Sequence, residues 1–247
     1  MTITAPLPRF ANRARFALAV SVAAAIGCAT PRALRSDSAM VPLNGAAVPA
    51  SERRPMDGGA GSKADAAVEA VLAGARESLG QSRPELDGHP LPTDCSGFVR
   101  GLYTRAGVDL FSEAHPSDNG VRAVVRWIKR RGQMHRRKLP APGDLAFFHD
   151  SYDRNGDGKV NDRFTHMGLV DEVLPDGTVL IIHATNHGIV REPMNLLRPH
   201  EARDSQGREI NAILRRKAAH DSPRTPRLMS ELFAGFGRVL QRDPEDA

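Results

Sequence analysis

The sequence predicts an α+β domain in which N-terminal helices pack on an antiparallel sheet. Two observations carry that expectation. Stretches with a 3.6-residue apolar period come first along the chain, and short apolar runs bounded by turn residues come second. The 247 residues, 40% of them hydrophobic, allow one ordinary domain with extensions.

The first extension is an export signal. Residues 1–15 carry Arg9, Arg13 and Arg15 and no acid, and residues 16–27 form a short apolar run. That run falls short of the roughly 20 apolar residues needed to span a bilayer. Ala25-Ile26-Gly27-Cys28 resembles a bacterial lipobox, which implies a signal segment over 1–28 with an acylated Cys28. The alternative is an ordinary cleaved signal in which Cys28 is incidental. Ala29 after the cysteine favours the outer membrane, facing the periplasm. Residues 29–64, rich in Ala, Pro, Gly, Ser and Arg, read as a flexible linker.

The domain itself is expected over 65–216. Val68, Val71, Leu72, Ala75 and Leu79 give a helix over 65–80. A Pro-rich loop leads to a second helix starting at Asp94 or Cys95, with Phe98, Val99, Leu102 and Tyr103 on one face and Gly107 at its end. Val121, Val124, Val125 and Ile128 give a third over 118–132. Strands are predicted at 144–148, 165–174 and 178–185, with a fourth candidate at 210–215. In the tail, 217–247, Leu228, Leu232, Phe233, Phe236, Val239 and Leu240 predict an amphipathic helix.

Thr93-Asp94-Cys95-Ser96-Gly97 is the most informative stretch. It sets a thiol in the first turn of a helix, where unsatisfied amides and the dipole favour a thiolate nucleophile of low pKa. The same amides could serve an oxyanion. Gly97 would leave room for substrate. The competing assignment is a buried structural cysteine.

A cysteine nucleophile needs a base and an orienting group. His166 and His183 both fall within strand patterns on either side of a Leu174-Pro175-Asp176-Gly177 turn signal. An even loop length would put them on one face. A two-residue turn would offset them by roughly 13 Å, and a six-residue loop over 172–177 would set them opposite each other. A longer loop or a bulge is therefore expected.

In order, Asp94-Cys95-Ser96-Gly97-Phe98-Val99, Pro142-Gly143-Asp144-Leu145-Ala146-Phe147-Phe148, His166-Met167-Gly168-Leu169-Val170 and Ile182-His183-Ala184 resemble the NlpC-type cell-wall cysteine peptidases, which belong with CHAP domains in a papain-like superfamily. Gly188-Ile189-Val190 and Glu192-Pro193-Met194-Asn195 resemble the family's closing segment. The resemblance implies a papain-like fold with Cys95 as nucleophile, His166 as general base and acid, and His183 as the orienting residue. It implies cleavage of an amide in peptidoglycan stem peptides, often γ-D-glutamyl-diaminopimelate. CHAP-like amidase or acyltransferase chemistry on the same fold is an alternative. Another is a non-catalytic, calcium-stabilised wall-binding lipoprotein. Two departures from the family pattern, at 88–92 and 110–116, fall in segments that shape the substrate cleft.

Catalysis by this set needs no cofactor. A structural Ca2+ is expected nearby, because Asp153, Asn155 and Asp157 with Gly158 follow the calcium-loop spacing. Lys159 would offer its carbonyl and Asp162 a further carboxylate; the alternative is a solvated Asx/Gly loop. The basic run at 126–138 and the net charge of +5 suit wall polymer or lipid headgroups. The export signal and scarce aromatics set nucleic acid aside. The expected partners are thus peptidoglycan peptides and, through the lipid anchor, a membrane.

Overall fold

A computed structural model describes residues 61–219 and 221–240. The export signal with Cys28, nearly all of the 29–64 linker, and residues 241–247 lie outside the described residues.

Three helices precede the main sheet: α1 (Gly61–Glu77), α2 (Cys95–Arg105) and α3 (Gly120–Arg131). The first begins four residues before the expected domain start. A two-stranded ribbon, β1 (Glu85–Leu86) with β2 (His89–Pro90), lies in the loop before α2. The remaining strands are β3 (Gln133–His135), β4 (Leu145–Phe148), β5 (His166–Val173), β6 (Val179–Thr185), β7 (Gly188–Met194) and β8 (Phe233–Arg238). They form one sheet in the order β3-β8-β4-β5-β6-β7, antiparallel throughout. The expected α+β fold of helices on an antiparallel sheet is present.

Alternation along each strand builds a core on both faces of the sheet. Leu145, Phe147, Met167, Leu169, Ile182 and Ala184 meet the helices through Leu72, Phe98, Leu102, Val124 and Ile128. Ala146, Phe148, Val170, Ile181 and Phe236 face the other way, where Ala212, Met229 and Leu232 cover them. Both faces are thus sealed, one by helices and one by irregular chain from the C-terminal third.

That arrangement corrects two expectations. The tail carries a strand in place of an amphipathic helix: β8 sits between β3 and β4, so the domain runs through the sequence beyond residue 216. A helix there would hold Gly235 and Gly237, each costing about 1 kcal/mol relative to Ala. In the strand, Gly237 permits close packing, since a Cβ would lie 2.8 Å from Phe147 Cε2. A register shift opposite Phe147 and Phe148 gives the apolar residues of β8 a spacing that mimics a helical period. The candidate strand 210–215 contributes only an isolated bridge, Ile213 to Leu228. There Arg215 turns inward, pairing with Asp221 at 3.0 Å and donating to the Asp150 carbonyl at 2.8 Å.

Candidate active site

Cys95 is the first residue of α2, and Asp94 is its N-cap. Asp94 Oδ1 accepts from the Ser96 amide at 3.2 Å, the Gly97 amide at 2.9 Å and the Ser96 hydroxyl at 2.7 Å. The Asp94 carbonyl accepts from the Phe98 amide at 2.9 Å. The cap therefore takes the Ser96 and Gly97 amides, while the Cys95 amide is left to the sulfur's side of the turn. Gly97 also has another reason than substrate access. A Cβ there would lie 2.5 Å from Asp94 Oδ2 and 2.6 Å from Pro92 Cβ, so glycine lets the loop fold onto the helix.

The low-pKa thiolate is likewise corrected. Burial pushes the Cys95 thiol up to about 11; a backbone hydrogen bond from Met167 opposes the rise and the Asp94 charge adds to it. Desolvation, with His183 second, holds His166 well below the usual imidazole range. Both shifts run toward the neutral forms, thiol and imidazole.

The two histidines meet by a route that neither expected loop supplies alone. Pro175–Gly177 form a three-residue hairpin loop, closed by the Leu174 amide on the Thr178 carbonyl at 2.8 Å, with Gly177 at φ +81°. An odd loop would set positions 166 and 183 on opposite faces. The register then shifts between Val170 and Glu172, leaving Asp171 as an extra residue. That bulge restores the parity. His183 now stands across from Gly168, diagonal to His166, and His166 Nε2 lies 2.9 Å from His183 Nδ1.

Two further residues make the contact possible. A Cβ on Gly168 would lie 3.0 Å from His183 Cβ and 2.5 Å from Ile181 Cγ2, so glycine opens the diagonal. The bulged Asp171 is 1% exposed and held by Arg76 of α1 at 2.6 Å and by Arg191 of β7. Beyond His183, its Nε2 lies 3.0 Å from Glu192 Oε2. Sequence reasoning left Gly168, Asp171 and Glu192 without site roles. The Thr185-Asn186-His187-Gly188 turn was the available signal for Glu192, because pairing β7 with β6 through it fixes the face on which residue 192 stands.

Cys95, His166, His183 and Glu192 line one cavity of about 880 Å3. Ser151, Asp153 and the segment 213–218 form other parts of its wall. The structure thus brings the three sequence-predicted residues together.

The loop 153–162 is held largely by its own side chains. Asp153 accepts from the Gly156 and Gly158 amides, both at 2.8 Å, and Asn155 from the Asp157 amide at 3.0 Å. Asp157 accepts from the Lys159 amide and the Asn161 side chain, both at 2.9 Å. Asp162 is buried and accepts from the Arg154 amide at 2.8 Å. Among the described residues, no three His, Cys, Asp or Glu side chains converge as a metal site. The basic run is partly neutralised: Arg126 pairs with Asp118, and Arg130 and Arg131 pair with Glu113.

The chain is similar to a solved protein described as similar to lipoprotein, NLP/P60 family, from Staphylococcus aureus subsp. aureus Mu50. The identity is 19% and the TM-score 0.38, over 72% of this chain and 42% of that one. The chain therefore spans less than half the length of that structure. No curated protein matches the chain significantly. The NlpC/P60 family model matches residues 78–201, about half of the chain. The matched span holds Cys95, His166, His183 and Glu192, and on it the chain belongs to the NlpC/P60 family.

Proposed function

We propose that the chain is a cysteine hydrolase that cleaves an amide bond in peptidoglycan stem peptides, with the γ-D-glutamyl-diaminopimelate bond as the first candidate. The observation that carries this reading is the shared cavity, into which Cys95 opens beside a His166–His183 pair at 2.9 Å. His183 takes one nitrogen of His166, which leaves Nδ1 for the thiol.

Cys95 Sγ attacks the carbonyl carbon as its proton passes to His166 Nδ1, and the carbonyl π pair moves onto oxygen. The Cys95 amide, which Asp94 does not take, is the donor proposed for that oxyanion. Collapse of the intermediate breaks the C–N bond, and His166 returns the proton to the departing amine. Water then attacks the thioester by the same route, giving the acid and restoring the thiol. His183 holds the imidazole throughout.

The family's cell-wall peptidase character supports peptidoglycan as substrate. The export signal supports a lipid anchor at Cys28 in the outer membrane, with the domain in the periplasm. Ca2+ enters only as a structural ligand of loop 153–162, and no step runs through it.

The test is digestion of purified peptidoglycan by the full chain and by its Cys95→Ala variant, with products read by mass spectrometry. Wild type yields new fragments whose masses name the bond. The variant, melting at the wild-type temperature, loses about 10³-fold or more of the rate. Fragments that persist in the variant, or none from the wild type, would overturn the reading in favour of another nucleophile or of a wall-binding role.

A further inference from the structure

We propose that Glu192 is a positioning residue that fixes the direction of the proton chain through both histidines, so that His166 presents a lone pair to the thiol. The proposal rests on the catalytic reading above and deepens it.

The reasoning starts from donor and acceptor counts. A neutral imidazole carries one N–H and one lone pair, and a carboxylate only accepts. His183 Nε2 is 3.0 Å from Glu192 Oε2, so that nitrogen carries the hydrogen. His183 Nδ1 then holds the lone pair and must accept from His166 Nε2, 2.9 Å away. His166 has its hydrogen on Nε2, and Nδ1 is left as a base. Each link dictates the next, and the carboxylate is the only link that cannot be reversed.

Geometry keeps alternatives out. His183 is 1% exposed, so its nitrogens cannot turn to solvent. The register pairs His183 with Val190 and Ile181 with Glu192, placing Glu192 diagonally on the same face. Next to it, Arg191 is held by Asp171 and by Glu172. Among the other charged groups lining this cavity, Asp94 caps α2, Arg215 pairs with Asp221, and Arg216 donates to His187 Nε2 at 2.6 Å. Asp153 belongs to its own loop, and Lys217 lines the wall without a place in the chain. Glu192 is thus the carboxylate at the end of the imidazole pair.

Glu192→Gln tests this in the full chain, because its amide can donate to His183 Nε2 and reverse every link. The expected result is a fall in kcat of about tenfold or more with KM changed less than about threefold. Glu192→Asp recovers part of the loss. The two-bond ¹H–¹⁵N spectrum of ¹⁵N-histidine protein, recorded at neutral pH, reads the tautomer directly. His183 carries its hydrogen on Nε2 in wild type and on Nδ1 in Glu192→Gln. A variant with wild-type kcat overturns the proposal. So does a variant that loses kcat while keeping the wild-type tautomer, since the loss then comes from packing. Should the wild type cleave no peptidoglycan, the proposed function fails, and the spectrum still decides whether Glu192 orders the chain.

Discussion

The sheet holds two histidine–carboxylate pairs of equal length and opposite character. His183 Nε2 lies 3.0 Å from Glu192, and His135 Nε2 lies 3.0 Å from Asp144. Around His135 everything closes. Asp144 is 2% exposed and also accepts from Arg238 at 2.9 Å and the Ala141 amide at 2.9 Å. Burial pushes its carboxyl up, but His135 and Arg238 outweigh that and hold it below the usual range. The His135 ring stacks on Phe236, and its Nδ1 is buried with no hydrogen-bond partner among the described residues. Around His183 the second nitrogen meets His166 at the edge of a cavity. A histidine–carboxylate pair is therefore no mark of a working site. What matters is whether the other ring nitrogen leads to a group that can react.

Alanine at each histidine gives the sharpest break in that comparison. His183→Ala lowers kcat by about 10²-fold, because His166 loses the partner that orients it, and leaves the melting temperature close to wild type. His135→Ala does the reverse. It removes one hydrogen bond to a buried carboxylate, costs about 1–3 kcal/mol in urea unfolding, and leaves kcat within about twofold. Equal losses of activity from both variants would erase the distinction.

A second measurement addresses the resting state of the reactive pair. With the Cys95 thiol near 11, iodoacetamide reacts slowly at pH 6, and the rate climbs about tenfold per unit toward alkaline pH. The midpoint should be unchanged in His135→Ala. Fast alkylation at pH 6, insensitive to pH, would mean a thiolate–imidazolium pair in place of two neutral groups.

The smallest effect is expected at loop 153–162, where Asp153 borders the cavity and the remote His135 cluster is untouched. Millimolar Ca2+ raises the melting temperature by about 1–4 °C if the loop binds it weakly, and Asp157→Asn abolishes the rise. A scan unchanged by Ca2+ and by chelator would remove the ion from the loop, whose turns already satisfy its carboxylates.

The sequence was most legible where signals are local. The helix period, the Pro-rich loop before it and Gly107 gave α2 its start and end, and β4, β5 and β6 followed from their turn boundaries. Cys95, His166 and His183 stood out because they recur in order within distinctive motifs. Legibility failed where identity depends on partners. Residues 228–240 read as a helix because a bulged strand with two glycines spaces its apolar residues in much the same way. The dipole argument for the thiol missed that Asp94 would take the Ser96 and Gly97 amides and that burial would push the thiol up.

By itself the sequence determined the order of layers, the start of the Cys95 helix and the choice of Cys95, His166 and His183 as candidate site residues. These depend on neighbours a few residues apart. Only the tertiary structure decided that the two histidines touch. An odd hairpin loop would part them, and the Asp171 bulge, held by Arg76 and Arg191 from two other elements, reverses that. A strand's side chains alternate with period two, so a single extra residue changes the face of everything beyond it. No local pattern in β5 announces that residue, because the groups that hold it lie 95 positions upstream and 20 downstream.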